Sequence, residues 1–389
     1  MQQSIFDLMY ETYKIDKPIR LIELFAGYGS QALALKYLGA NFEHHCVCEF
    51  DEAAVTTYNA FHNTNFKTSD ITQLKASDLN IVDKDKYTYL LTYSFPCTDL
   101  SISGAMKGME KGSGTRSGLL WEVERLLIEL GDALPQVLVM ENVPQVLTAS
   151  GWEEWNCFLN NLGYTNYCEV LNAKDYSIPQ NRKRAFMISI LGDFKYHFPQ
   201  KMKLKYVLKD ILEKNIDEKY YIPDEKAKSI LSQLKNKDTV LIDMVQAKRE
   251  GKPREYTTIA PTLMARDYKD PRLILVGSLD IKGQDVVKRV YDPNGLAPTL
   301  TTMQGGNRQP KIIVLSRVRK LSPKECFKLM GVPNSINSKV TVSNSQQYKQ
   351  AGNSIVTTCL MGIFGELLGI DYQSKIKQLV EELTHYETK

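Results

Sequence analysis

The stretch Arg20-Leu21-Ile22-Glu23-Leu24-Phe25-Ala26-Gly27-Tyr28-Gly29-Ser30 reads as a strand, a glycine turn and the start of a helix. Apolar residues crowd Arg20–Phe25, and Gly27 and Gly29 let the backbone turn tightly and approach a ligand. Helical periodicity then runs over Ser30–Leu38. The same alternation continues outward. Strands are expected at His45–Cys48, Tyr89–Ser94, Gln136–Met140, Tyr167–Leu171 and Ala185–Leu191, and helices at Glu52–Phe61, Leu119–Leu130 and Trp152–Leu162. This pattern predicts an α/β, doubly wound sheet with helices on both faces. Such sheets bind ligands beyond the carboxyl ends of their strands, so the residues there carry the functional reading.

Composition narrows the class. The 389 residues are 43% hydrophobic and 24% charged, as in an ordinary globular protein of two domains. No run approaches the ~18 uninterrupted apolar residues of a membrane helix, and Asp7 and Glu11 argue against a signal peptide. Seven cysteines without framework spacing fit reduced thiols in a cytoplasm. Cys46 and Cys48 stand beside His44 and His45, but alternate strand residues face opposite sides and no second Cys/His pair follows, so no metal is expected. The net charge of +4 is unevenly placed: residues 201–320 hold 25 basic and 15 acidic residues, against 24 and 30 elsewhere. A basic module that meets a polyanion, joined to one that does not, fits this split.

The basic segment also differs in pattern, with short β-like runs and an internal echo. Ala260-Pro261-Thr262-Leu263 recurs as Ala297-Pro298-Thr299-Leu300. Each copy precedes a Pro-basic-apolar triplet, Pro271-Arg272-Leu273 and Pro310-Lys311-Ile312, as related hairpin units do. From Leu321 the chain turns helical again, with Ser322 as N-cap before Pro323 and Glu325. Val356–Leu368 is apolar on nearly all sides, which predicts burial against the first domain. The expected boundaries are 1–200, 201–330 and a C-terminal return over 331–389.

Several strand ends carry chemistry. The glycine turn lacks the third glycine of a dinucleotide site, which disfavours a pyrophosphate. Glu49 follows the second strand, where an acid accepts hydrogen bonds from ribose hydroxyls. Asp70, read as following a third strand, suits an adenine amino group. Together these describe a pocket for an adenosine without a diphosphate. Ser94-Phe95-Pro96-Cys97 ends a buried strand in a rigid proline and presents a thiol to the Gly- and Ser-rich segment Thr98–Ser117, a lid by its length and composition. Glu141-Asn142-Val143 follows an apolar strand, where a half-buried acid can hydrogen-bond a ring nitrogen or merely cap a helix. Gln180, Arg182 and Arg184 fall on one face if extended, and two guanidiniums with an amide suit a phosphate or a base carbonyl.

In this order, the pieces resemble the cytosine-5 DNA methyltransferase family of bacteria and phages, from Arg20 to about Leu360. The glycine turn resembles that family's first motif, and Ser94–Ser101 its Pro-Cys motif. Glu141-Asn142-Val143 and Gln180/Arg182/Arg184 resemble its Glu-Asn-Val and Gln-x-Arg-x-Arg motifs. Arg319–Cys326, followed by Leu329-Met330-Gly331, is similar to the ninth, and Gln350-Ala351-Gly352-Asn353-Ser354 to the tenth. The resemblance implies a methyltransferase fold with a smaller, mostly β target recognition domain, and S-adenosyl-L-methionine as cofactor. It implies Cys97, Glu141, Arg182 and Arg184 as catalytic. Phe25, Gly27, Gly29, Ser30, Glu49, Asp70, Ile71, Pro96, Asn353 and Ser354 are implied at the cofactor. Ser101, Gln180, Thr262, Thr299, Gln304, Asn307 and Arg308 are implied at duplex DNA, the last three as readers of base edges. A cytoplasmic monomer is expected, with a restriction endonuclease as a separate partner. A transfer-RNA methyltransferase of the same fold, a folate-dependent pyrimidine enzyme and a non-catalytic DNA-binding regulator are the competing readings.

Overall fold

The computed structural model describes residues 11–96, 116–214, 216–221, 241–243, 254–256, 275–278, 289–291, 295–300, 311–314 and 317–384. Its centre is a six-stranded sheet of order β2-β1-β3-β4-β6-β5. The strands are β1 (Ile19–Leu24), β2 (Phe42–Cys48), β3 (Thr88–Tyr93), β4 (Val137–Asn142), β5 (Tyr164–Asn172) and β6 (Lys183–Leu191). The first four run parallel, and β6 runs antiparallel to both β4 and β5. Every residue of β3 and β4 is buried, because both faces of the sheet are covered.

The covering helices divide the core in two. Leu21, Leu90, Val139 and Ile188 project to the face packed by α1 (Ser30–Leu38) and by the C-terminal helices α8 (Thr357–Leu368) and α9 (Tyr372–Thr384). Ile22, Leu91, Leu138 and Met187 project to the opposite face, under α3 (Leu120–Leu130) and α4 (Trp152–Asn161). Between β2 and β3 runs α2 (Glu52–His62). The alternation along each strand is the period of two that a sheet imposes. The expected burial of the apolar C-terminal helix holds: α8 packs on α1. An 18-residue window within Asn344–Leu368 has the hydropathy of a membrane span, but 83% of it is buried inside the fold.

The structure moves several expected boundaries. β2 and β5 begin three residues before their expected starts. Both are edge strands, whose polar residues blur the apolar run. Glu141 and Asn142 are the last residues of β4 rather than residues beyond it. Asp70 lies in the loop before β3, not after a third strand. Ser322 caps α5 (Pro323–Lys328) as expected: Ser322 N–H donates to Glu325 Oε2 at 2.8 Å and Glu325 N–H to Ser322 Oγ at 3.2 Å. α6 (Asn334–Asn337) and α7 (Asn344–Asn353) follow, so the tenth-motif residues through Asn353 end a helix.

The described part of the basic segment opens with two short 3-10 turns, Leu208–Asp210 and Glu218–Tyr220, and its later runs are β, as expected. β9 (Leu275–Ser278), β10 (Arg289–Tyr291), β11 (Lys311–Val314) and β12 (Arg317–Lys320) form a four-stranded sheet. A separate antiparallel pair joins β7 (Leu241–Asp243) and β8 (Arg254–Tyr256).

Candidate active site

The glycine turn places three left-handed residues in five: Phe25 (φ +58°), Gly27 (+56°) and Gly29 (+79°). A left-handed phenylalanine is held only where its surroundings insist on it. At Gly29 no side chain fits, since a Cβ there would lie 2.4 Å from His62 Nε2 and 2.6 Å from the Tyr58 ring. A Cβ at Gly27 would meet nothing within 4 Å, so the turn is open on that side. Gly27 N–H donates to Glu49 Oε2 and Asp51 N–H to Glu49 Oε1, both at 2.8 Å. Burial raises the Glu49 carboxyl above the usual carboxylate range. Each oxygen keeps a lone pair for a further donor. Next to it, Phe50 is 76% exposed, a large aromatic face standing free at the carboxyl end of β2.

Asp70 and Ile71 are held near this end of β2. Ser69 N–H donates to Glu49 O at 2.8 Å, and Asp70 Oδ1 accepts from Thr72 N–H at 3.0 Å. Arg125, braced by Glu122 and Glu129, donates to the carbonyls of Ile71 (3.0 Å) and Leu74 (2.8 Å). The tenth motif closes the other side. Tyr28 O–H donates to Ser354 Oγ at 2.7 Å, Gln350 Nε2 to Ala53 O at 2.8 Å, and Lys349 pairs with Asp51. Asn353 is exposed at the end of α7, and Ser30 is buried in the first turn of α1.

A buried acid lies beneath the turn. Glu23 accepts from Tyr58 O–H at 2.5 Å, and His44 Nδ1 is 2.6 Å from the same hydroxyl. Burial pushes the Glu23 carboxyl up to about 7 and the neighbouring His62 imidazole down to about 3. Folded Glu23 thus keeps a proton that the unfolded chain releases above 4.5, and its penalty grows as pH rises from there to about 7. Glu23→Gln is expected to gain about 3 kcal/mol on the wild type between pH 4.5 and 7.5, by denaturation at each pH. His62 acts in the opposite sense below 6.5, but it is common to both proteins and cancels in the difference.

At the ends of β3 and β4, Glu141 meets Ser94 and Arg184. Glu141 is only 4% exposed. Ser94 Oγ donates to its Oε2 at 2.6 Å, and Arg184 Nε lies 3.1 Å from its Oε1. Asn142 Nδ2 donates to Phe95 O at 3.1 Å, which ties the chain just before Pro96 to β4. Cys97, Ser101 and the glycine-rich segment to 115 lie outside the described residues, as do Thr262, Gln304, Asn307 and Arg308.

The two other members of the Gln-Arg-Arg set do not join Glu141. Gln180, expected at DNA, is fully buried: Nε2 donates to Leu329 O at 2.7 Å and Oε1 accepts from Leu300 N–H at 3.1 Å. Arg182, expected to be catalytic, donates to the carbonyls of Leu300 (2.7 Å), Gly352 (2.9 Å) and Ser354 (2.8 Å). Of the three, Arg184 pairs with the acid. Thr299 also turns inward, its hydroxyl donating to Asn181 O at 2.5 Å. Gln180 and Arg182 therefore lace residues 295–300 and the tenth motif to the strand that carries Arg184.

The family model for C-5 cytosine-specific DNA methylases matches residues 19–369. The chain belongs to that family. It is a DNA cytosine-5-methyltransferase, and its six-stranded α/β sheet is the family's methyltransferase fold. Among relatives, the type II methyltransferase M.HhaI of Haemophilus parahaemolyticus is 33% identical, covering 89% of this chain and 93% of its own. The orphan methyltransferase M.SssI of Spiroplasma monobiae is 31% identical over 91% and 98% of the two chains. The S. pombe Dnmt2 methyltransferase structure shares the fold, with a TM-score of 0.61 at 19% identity, covering 90% of this chain and 98% of that one.

Sequence reasoning quoted Ser94 and Asn142 inside motifs without giving either a role, and passed over Phe50 and Arg125 in this methyltransferase. For Phe50 a signal existed, an aromatic directly after the acid at a strand end. The others show no local pattern, because their partners come from other strands and loops.

Proposed function

We propose that this methyltransferase flips a cytosine out of duplex DNA and methylates C5 through a covalent adduct with Cys97. The observation that carries the reading is the buried Glu141, held by Arg184 and Ser94 where the chain leads into Pro96 and Cys97. The Cys97 thiolate forms a bond to C6, and the C5–C6 π pair moves onto C5. Glu141 meets N3 and keeps charge from building on the ring, while Arg184 balances the carboxylate and the developing charge near O2. Once C5 carries the methyl group, loss of its proton restores the C5–C6 double bond and the sulfur departs as thiolate. S-adenosyl-L-methionine, when bound, supplies the electrophilic methyl group.

The residues present fit that cofactor. Glu49 offers its free lone pairs to ribose hydroxyls, Phe50 offers a stacking face to adenine, and the open side of Gly27 leaves room for the chain of atoms between. Phe25, Gly29, Ser30, Asp70, Ile71, Pro96, Asn353 and Ser354 complete the pocket. Loss of the stacking face in Phe50→Ala is expected to weaken cofactor binding about ten- to a hundredfold by calorimetry, with Phe50→Trp close to wild type.

Residues 201–330 serve as the target recognition domain, with base reading in the stretch through Gln304, Asn307 and Arg308. The names of its relatives, type II and orphan methyltransferases, support a role in protecting DNA from a restriction endonuclease. We place the enzyme in the cytoplasm as a monomer. Bisulfite sequencing of DNA from cells expressing the protein tests the reading: protected cytosines in one recurring sequence are expected. Complete conversion, or methyl transfer to tRNA and not to duplex DNA, refutes it.

A further inference from the structure

Ser94 stands one residue beyond β3, beside Glu141 on the neighbouring parallel strand, since Tyr93 pairs with Met140. Its hydroxyl reaches Glu141 Oε2 at 2.6 Å, while Arg184, from β6 on the other side of β4, holds Oε1 at 3.1 Å. A glutamate carboxyl rotates broadly about its last torsion unless both oxygens are engaged. With one partner on each oxygen, the carboxyl plane is fixed across three strands. Arg184 alone, on a long side chain at the start of β6, leaves that rotation free. Anchoring of the strand end itself does not depend on Ser94, because Asn142 already ties Phe95 O to β4 at 3.1 Å.

We propose that Ser94 is a positioning residue for methyl transfer, fixing the plane in which Glu141 meets the cytosine ring nitrogen. This rests on the role given to Glu141 above. The hydroxyl also joins the acid to the segment leading into Pro96, the residue before Cys97 in the sequence. The charged acceptor makes the bond stronger than one between neutral groups.

Steady-state methyl transfer to a duplex oligonucleotide is measured for wild type, Ser94→Ala, Ser94→Thr, Glu141→Gln and the double variant Ser94→Ala/Glu141→Gln. Ser94→Ala is expected to lower kcat about ten- to a hundredfold, the rate equivalent of one hydrogen bond to a charged group, and to change KM for DNA less than about twofold. Ser94→Thr, which keeps the hydroxyl, restores kcat to within about threefold of wild type. In the Glu141→Gln background the Ser94→Ala change costs less than about twofold, because its effect runs through the carboxylate. Multiplying effects in the double variant, or a Ser94→Ala enzyme with wild-type kcat, overturns the proposal. A wild-type protein that transfers no methyl group refutes instead the function on which it rests.

Discussion

Replacing Cys97 by alanine is expected to abolish methyl transfer, by about 10⁴-fold or more, while cofactor binding stays within about twofold of wild type. In the proposed mechanism the thiolate is the group that makes C5 nucleophilic, and neither Glu141 nor Arg184 takes its place in the bond to C6. A covalent readout separates this from misfolding. With 5-fluorocytosine at the target position, C5 carries no proton to lose after methylation, so elimination stops with sulfur still bonded to C6. The wild type is expected to form a protein–DNA adduct that survives denaturing electrophoresis, and Cys97→Ala none. An alanine variant that still methylates would remove Cys97 from the mechanism and favour the acid and arginine acting on their own.

The second large effect concerns two arginines two residues apart with opposite expected phenotypes. Arg182 is 2% exposed and donates to three carbonyls, from Leu300, Gly352 and Ser354. Arg182→Ala leaves these acceptors buried without that donor, and a loss of about 3–5 kcal/mol in unfolding free energy is expected. Arg182→Lys does not rescue it, since one ammonium cannot reproduce the planar fork. Arg184→Ala, by contrast, removes the partner of Glu141 at a site that is partly exposed. Turnover is expected to fall about a hundredfold or more, with a smaller change in stability. Urea unfolding and kcat measured on both variants decide the matter. Equal stability losses for the two would show that the structural and catalytic roles are not divided in this way.

That division shows where the sequence pattern stops being informative. Gln180, Arg182 and Arg184 share a parity, and parity alone predicts one face and one pocket. In the fold, the two inner members are drawn to carbonyls near residues 300, 329 and 352–354, which the numbering gives no reason to expect. Thr299 likewise bonds inward to Asn181 O, although its Thr-Leu pair resembles a DNA-reading element. Side-chain type set the kind of bond each residue could make, and the packing of distant segments chose the partner.

From the residues alone came the doubly wound α/β sheet with helices on both faces, because strands buried on both faces are mostly apolar, as β3 and β4 are apart from two threonines and the terminal Glu141 and Asn142. The glycine turn and the acid after β2 were equally legible, since a left-handed backbone and a close approach admit few residue types. The capping box at Ser322 and Glu325 follows from bonds made within three residues. The tertiary structure alone decided which arginine faces Glu141, that Ser94 holds its other oxygen, and that Phe50 stands exposed beside Glu49. Local propensity acts over a few residues, whereas Ser94 and Glu141 are 47 residues apart and Arg182 and Ser354 172. Contacts at that range are set by sheet register and the packing of distant segments, which leave no periodic trace in the chain.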